Sequence, residues 1–257
     1  MAVYEWQGKV LIPPSGIIHD LPGLDFGNVP QVTRFRKFGY NPSIAAATDP
    51  EDIISQGGIH PGPLTAAAST IVSDDSNDTS AGTGAQTVKL WGQLAGGTET
   101  TETAIMDGAT PVNLANSYEC ITRVRTETVG TNASNVGNLI IKIGAVTVVD
   151  VLPGASSTLS AWYRVPAGYT YYIYSMGASL GDKTATAAEI EFRHTPVGGA
   201  SRIEEKFSVH SGAAPAHIPL AIPEPFGPGD IAVMRCFEVT GTTDISAHFE
   251  GILVANA

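Results

Sequence analysis

Leu159-Ser160-Ala161-Trp162-Tyr163-Arg164-Val165-Pro166-Ala167-Gly168-Tyr169-Thr170-Tyr171-Tyr172-Ile173-Tyr174-Ser175-Met176 decides the fold class of this chain. Leu159, Ala161, Tyr163 and Val165 alternate with their neighbours, the period of a half-buried strand. Pro166-Ala167-Gly168 is a turn signal. Beyond it, Tyr172 and Tyr174 share one face while Tyr171 and Ile173 share the other. Two such runs separated by a turn signal read as two successive strands.

The same period recurs outward in both directions. In residues 117–125, Tyr118, Cys120, Thr122 and Val124 share one face, and Glu119, Ile121, Arg123 and Arg125 the other. Leu139, Ile141 and Ile143 alternate with Ile140 and Lys142, and Val146-Thr147-Val148-Val149 continues after Gly144. Ala188, Ile190 and Phe192 alternate with Glu189, Glu191 and Arg193. Ile231, Val233, Arg235 and Phe237 mark one late strand, and Ile245, Ala247, Phe249, Gly251 and Leu253 another. At least eight strands with closely spaced turns, and no helix-period crossovers between them, predict an all-β, antiparallel, jelly-roll-like β-sandwich.

Residues 1–47 read differently. Pro13, Pro14, Pro22, Pro30 and Pro42 recur, so neither a helix nor a central strand is expected there. Yet Trp6, Val10, Leu11, Ile12, Ile17, Ile18, Leu21, Leu24 and Phe26 need burial. An extended N-terminal arm docked on a preformed surface meets both conditions. Thr48-Asp49-Pro50-Glu51 carries a capping-box spacing and Gly57-Gly58 a stop, which predicts one short helix over 49–56. The expected organisation is an arm over 1–60, a main β-sandwich over 61–199, and C-terminal strands over 200–257 that complete the sandwich or form a small second unit. Within the Gly/Ser/Pro-rich stretch 195–229, only 203–209 reads as a strand.

Composition narrows function. Lys plus Arg is 14 and Asp plus Glu is 25, a net charge of −11. An acidic chain repels phosphate backbones, so no nucleic-acid partner is expected. Charged residues are only 15%, against roughly 25% in typical soluble domains, which suits surfaces that become covered in an assembly. Cys120 and Cys236 sit in strand alternations and read as small buried residues, without a disulfide framework. Glu5 and Lys9 interrupt the early apolar stretch, so no secretory leader is expected. No run approaches the roughly 18 apolar residues of a membrane helix, so no membrane partner is expected and the chain reads as made in the cytoplasm.

Motifs for chemistry are weak. Gly82-Thr83-Gly84 and Gly96-Gly97 lack the end of a phosphate loop. His19, His60, His194, His210, His217 and His248 form no short-range ligand pair, and no metal or cofactor is assigned. Asp74, Asp75 and Asp78 depart from the EF-hand spacing and read as a polar loop. Glu99 with Glu102, or Glu189 with Glu191, would be needed for glycoside hydrolysis but read as strand faces. Trp162, Tyr169, Tyr171, Tyr172 and Tyr174 are either a sugar-binding platform or core filling. No catalytic residues are assigned, and the chain is not expected to be an enzyme.

Arg34-Phe35-Arg36-Lys37-Phe38 is the odd feature. Residues 1–47 carry four basic and three acidic side chains, or +1, which leaves −12 on the remainder. A basic-aromatic arm beside an acidic body suits a clamp onto a neighbouring copy; the plainer reading is a strand with its charges out and Phe35 or Phe38 in.

Three segments resemble phage virion proteins of the capsid-decoration (cement) type: the run from Ser73-Asp74-Asp75-Ser76-Asn77-Asp78 to Gln86-Thr87-Val88, then Val165-Pro166-Ala167-Gly168-Tyr169-Thr170, and Phe249-Glu250-Gly251-Ile252-Leu253-Val254. The resemblance implies a virion component that stabilises a head, with the major capsid protein or other virion proteins as partners. A neck, tail or head-fibre component is the alternative, and a lectin-like carbohydrate-binding module the competing class. A homo-oligomer is expected, with the trimer resting on the resemblance. Trp6, Ile17, Ile18, Phe26, Arg34, Phe35, Arg36, Lys37 and Phe38 are the expected interface residues.

Overall fold

The computed structural model describes residues 4–6, 9–11, 32–46, 50–181 and 184–256. In chain order its strands are β1 (Tyr4–Trp6), β2 (Lys9–Leu11), β3 (Val32–Ala45), β4 (Glu51–Asp52), β5 (Ala67–Ser73), β6 (Ala85–Gln93), β7 (Glu99–Ile105), β8 (Val112–Tyr118) and β9 (Cys120–Val129). They continue as β10 (Leu139–Ile143), β11 (Val146–Val151), β12 (Trp162–Arg164), β13 (Tyr169–Leu180), β14 (Ala187–Thr195), β15 (Arg202–His210), β16 (Ala216–Phe226), β17 (Ile231–Val239) and β18 (Thr242–Ala255). Every described pairing is antiparallel, as expected for the all-β class.

Two hydrophobic cores organise these strands. One lies between the sheet β16-β13-β18-β3 and the sheet β12-β17-β14-β15, to which β4 adds. Tyr171, Ile173, Phe249 and Leu253 from the first sheet meet Tyr163, Ile190, Phe192 and Met234 from the second. The other core lies between β11-β10-β5-β8 and β7-β6-β9, around Ile71, Val88, Leu90, Tyr118, Val124 and Ile141. This second sandwich falls between β4 and β12 in sequence, so the first is built from segments on either side of it.

The alternation read along β13 holds only to its bulge. Tyr171 and Ile173 face the core, while Tyr172 and Tyr174 pack with Val32, Ile252 and Val254 on the opposite face. The register shifts between Ile173 and Ser175, and Met176 and Ala178 then face inward. One inserted residue reverses the parity of all that follow.

Three expectations are corrected. Residues 50–56 form no helix. Glu51 and Asp52 pair with Cys236 and Arg235 of β17. Ile53 enters one core and Ile54 faces Cys120, Trp162 and Val233, the opposite-face geometry of extended chain. Within the expected arm, residues 32–45 are a long strand of the chain's own sheet, from Val32 opposite Val254 to Ala45 opposite Thr242. Its Pro42 is tolerated because β3 is the last strand of that sheet. Residues 216–226, read as loop, form β16. Pro219, Pro223 and Pro225 hide its pattern, but among the described strands β16 pairs only with β13, so an edge absorbs the missing donors.

Candidate functional site

The basic cluster lies on β3. Phe35 and Lys37 point inward, and Arg34, Arg36 and Phe38 outward. Phe35 packs at a tilt against Tyr163, ring centroids 4.3 Å apart, and meets Tyr171 edge-on at 5.5 Å, and the Tyr171 hydroxyl donates to the Phe35 carbonyl at 3.2 Å. Gly39 continues the inward row where a Cβ would stand 2.1 Å from the Ile53 carbonyl oxygen, so only glycine fits. On the outer face Glu250 accepts from both Arg34 (3.3 Å) and Arg36 (3.0 Å). The positive charge is thus answered within the chain, and the strand has the plainer geometry apart from the buried lysine. Phe38 is 42% exposed. Trp6 lies on β1, which pairs with β2; Ile17, Ile18 and Phe26 lie outside the described residues.

Lys37 belongs to the joint between the two sandwiches. Only 7% exposed, it donates to the Thr122 carbonyl on β9. Burial, reinforced by Arg123, lowers its pKa to about 7. Beside it, Ile54, Cys120, Trp162 and Val233 form an apolar seam. His60 stacks on Trp162 at 3.9 Å, and burial lowers its pKa to about 3, so the ring is neutral. Arg164 binds Glu119 at 2.6 Å, Gln93 donates to the Arg164 carbonyl at 2.7 Å, and Asp52 holds Arg235 at 2.6 Å. Val233 faces this seam while Ala232, Met234 and Cys236 face the core, so β17 is covered on both sides.

Most other groups considered for chemistry are engaged structurally. Asp78 is completely buried and accepts from Ser73 Oγ (2.7 Å) and the backbone N–H groups of Ala85 (2.6 Å), Val136 (2.9 Å) and Gly137 (2.8 Å). Asp74 accepts from Asn138, and Asp75 from Asn77. At Gly84 a Cβ would stand 2.1 Å from Asp78 Oδ1, which accounts for the glycine at that position. Although partial desolvation opposes it, donors from Ala115, Asn116 and Tyr118 hold the Glu102 carboxyl below its ordinary range. Glu189 pairs with Lys206, and Glu191 with Arg193. Desolvation pushes both thiols up to about 12, which leaves them protonated and inert. Of the aromatic concentration, Trp162, Tyr171 and Tyr174 are buried and Tyr172 is partly buried beside Ile252, whereas Tyr169 is 37% exposed.

One exposed surface is formed by β15 and β16, edge strands of opposite sheets. Most of their side chains face solvent. Ile222 is 76% exposed and Ile203 48%, and Val197, on the turn after β14, is 68% exposed. At this edge His194 packs on Phe226 with ring centroids 4.2 Å apart. His194 Nε2 lies 2.9 Å from Asp230 Oδ2, and Nδ1 lies 3.5 Å from Glu204 Oε1. Arg202 Nη2 stands 3.2 Å from the same Nδ1. Ligand atoms of His194, Glu204 and Glu224 lie within 4.8 Å of one another. Sequence spacing missed this group because its members sit on three strands, and only the pairing of His194 with Arg202 brings Glu204 near.

No family model and no curated protein matches the chain. Among solved structures, the chain is similar to that of infectious bursal disease virus Gt strain, at 9% identity and TM-score 0.21, over 88% of this chain and 73% of that one. The VP2 subviral particle of infectious bursal disease virus gives 8% identity and TM-score 0.15, over 88% and 77%. Likeness at these scores carries no argument about architecture or role.

Proposed function

We propose that the chain is a non-enzymatic structural component of a phage particle, a capsid decoration or cement protein that adds buried area across the shell's subunit junctions; a neck, tail or head-fibre position is the alternative. The exposed β15–β16 edge carries this reading. Charges on β15 and prolines on β16 limit indiscriminate strand pairing, while Ile203, Ile222 and nearby Val197 stay exposed to solvent and offer apolar contact area to a partner. Stable protein contacts bury about 1,200–2,000 Å² in all, and two strands of 9 and 11 residues offer a surface on that scale. The body around them is acidic and charge-poor. A homotrimer suits the three-fold junctions of a shell.

Quantitative mass spectrometry of purified particles tests the placement. Hundreds of copies per particle support decoration, about a dozen place the protein at the neck or tail, and absence overturns a virion role. Ile222→Glu is the matched variant. At 76% exposure it should leave folding stability within about 0.5 kcal/mol, while attachment to shells drops at least tenfold. Undiminished attachment moves the contact off this edge.

A further inference from the structure

We infer that His194, Glu204 and Glu224 form a site for a divalent transition-metal ion, with Zn²⁺ the best fit, that clips the edges of the two facing sheets together. The ligands come from β14, β15 and β16, and β16 belongs to the sheet opposite the other two. The site therefore spans the mouth of the sandwich beside the exposed edge. It stands independently of any role in a particle.

The histidine is prepared as a ligand. Asp230 Oδ2 can only accept and Arg202 Nη2 can only donate, so the proton sits on His194 Nε2 and the Nδ1 lone pair faces Arg202, beside Glu204. A carboxylate behind a metal-binding imidazole fixes its tautomer and ring orientation. Asp230 is itself rigid, accepting from the backbone N–H groups of Val197 (3.0 Å) and Gly227 (2.9 Å). Phe226 holds the ring from its side.

Spacing and charge agree. Two ligands about 2.1 Å from a tetrahedral ion stand about 3.4 Å apart, and His194 Nδ1 is 3.5 Å from Glu204 Oε1. Three carboxylates converge on this imidazole against one guanidinium, Arg202, which spans His194 Nδ1 (3.2 Å) and Glu204 Oε1 (3.3 Å). A cation already sits where the ion would bind. Arg202 is 59% exposed, so it can swing into solvent when a metal replaces it. One nitrogen and two carboxylate oxygens suit Zn²⁺ better than Ca²⁺ or Mg²⁺, and leave a coordination position for water.

The test uses the full chain stripped with chelator, then titrated with ZnCl₂ by calorimetry and followed by thermal melting. The expected result is one Zn²⁺ per chain and a rise in Tm of about 5 °C at a hundredfold excess over Kd. The Co²⁺ form should show visible absorption of tetrahedral intensity. His194→Ala risks the core, so Glu204→Gln with Glu224→Gln is the deciding variant: it should fold and lose the saturable binding. Arg202→Ala should bind Zn²⁺ more tightly. No saturable binding by the wild type, or full retention of binding by the double glutamine variant, overturns the site.

Discussion

Lys37 on β3 donates its ammonium hydrogen bond to the main-chain carbonyl of Thr122 on β9, joining one sandwich to the other. The contact crosses 85 residues of sequence and is buried at both ends. A lysine there makes the stability of the joint depend on protonation.

The folded-state pKa of Lys37 is about 7, against 10.5 for the free side chain. Between those values the unfolded chain binds the proton that the folded chain releases, so stability rises with pH. The cost of burying the charge is full below pH 7, shrinks between pH 7 and 10.5, and is gone above. Lys37→Met removes the titration but leaves the Thr122 carbonyl without this donor. The variant should therefore gain relative to wild type at pH 6 by a few kcal/mol more than at pH 10. Urea unfolding at both pH values measures this, and a pH-independent difference between the proteins contradicts it.

Asp78 ties the turn after β5, the start of β6 and the segment before β10 into one knot. Asp78→Ala leaves buried N–H groups unpaired and should cost on the order of 3 kcal/mol. Asp74→Asn, on an exposed side chain that keeps an acceptor for Asn138, should cost less than about 1 kcal/mol. Hydrogen exchange at Ala85, Val136 and Gly137 should accelerate in the first variant and not in the second. Equal effects of the two substitutions argue against the knot.

On β3, neighbouring residues should differ sharply. Phe35→Ala removes a ring packed on Tyr163 and Tyr171 and should cost about 2–3 kcal/mol. Arg34→Ala and Arg36→Ala remove half-exposed partners of Glu250 and should each cost less than about 1 kcal/mol, less still in high salt. Equilibrium unfolding decides between a strand of the chain's own sheet and a segment docked on another copy. In the second case Phe35→Ala would weaken assembly and leave the unfolding of the dissociated chain unchanged.

The sequence by itself determined the fold class and most strand positions, because side chains on a strand alternate between faces by local geometry alone. Ala188, Ile190 and Phe192 enter the core as the alternation requires, and so do Ile245, Ala247 and Phe249. What the tertiary structure decided depends on partners distant in the chain. Glu51 and Asp52 carry helix-start chemistry, yet they pair with β17 because Arg235 waits there for Asp52. The prolines of β16 read as loop until β13 supplies a single partner edge. Arg34 and Arg36 read as free charge until Glu250 lies between them, and His194 reads as an isolated histidine until β15 and β16 bring Glu204 and Glu224 to it. Alternation records which side of a strand is apolar; only the packed sheets fix which strand, which bulge and which charge stand opposite.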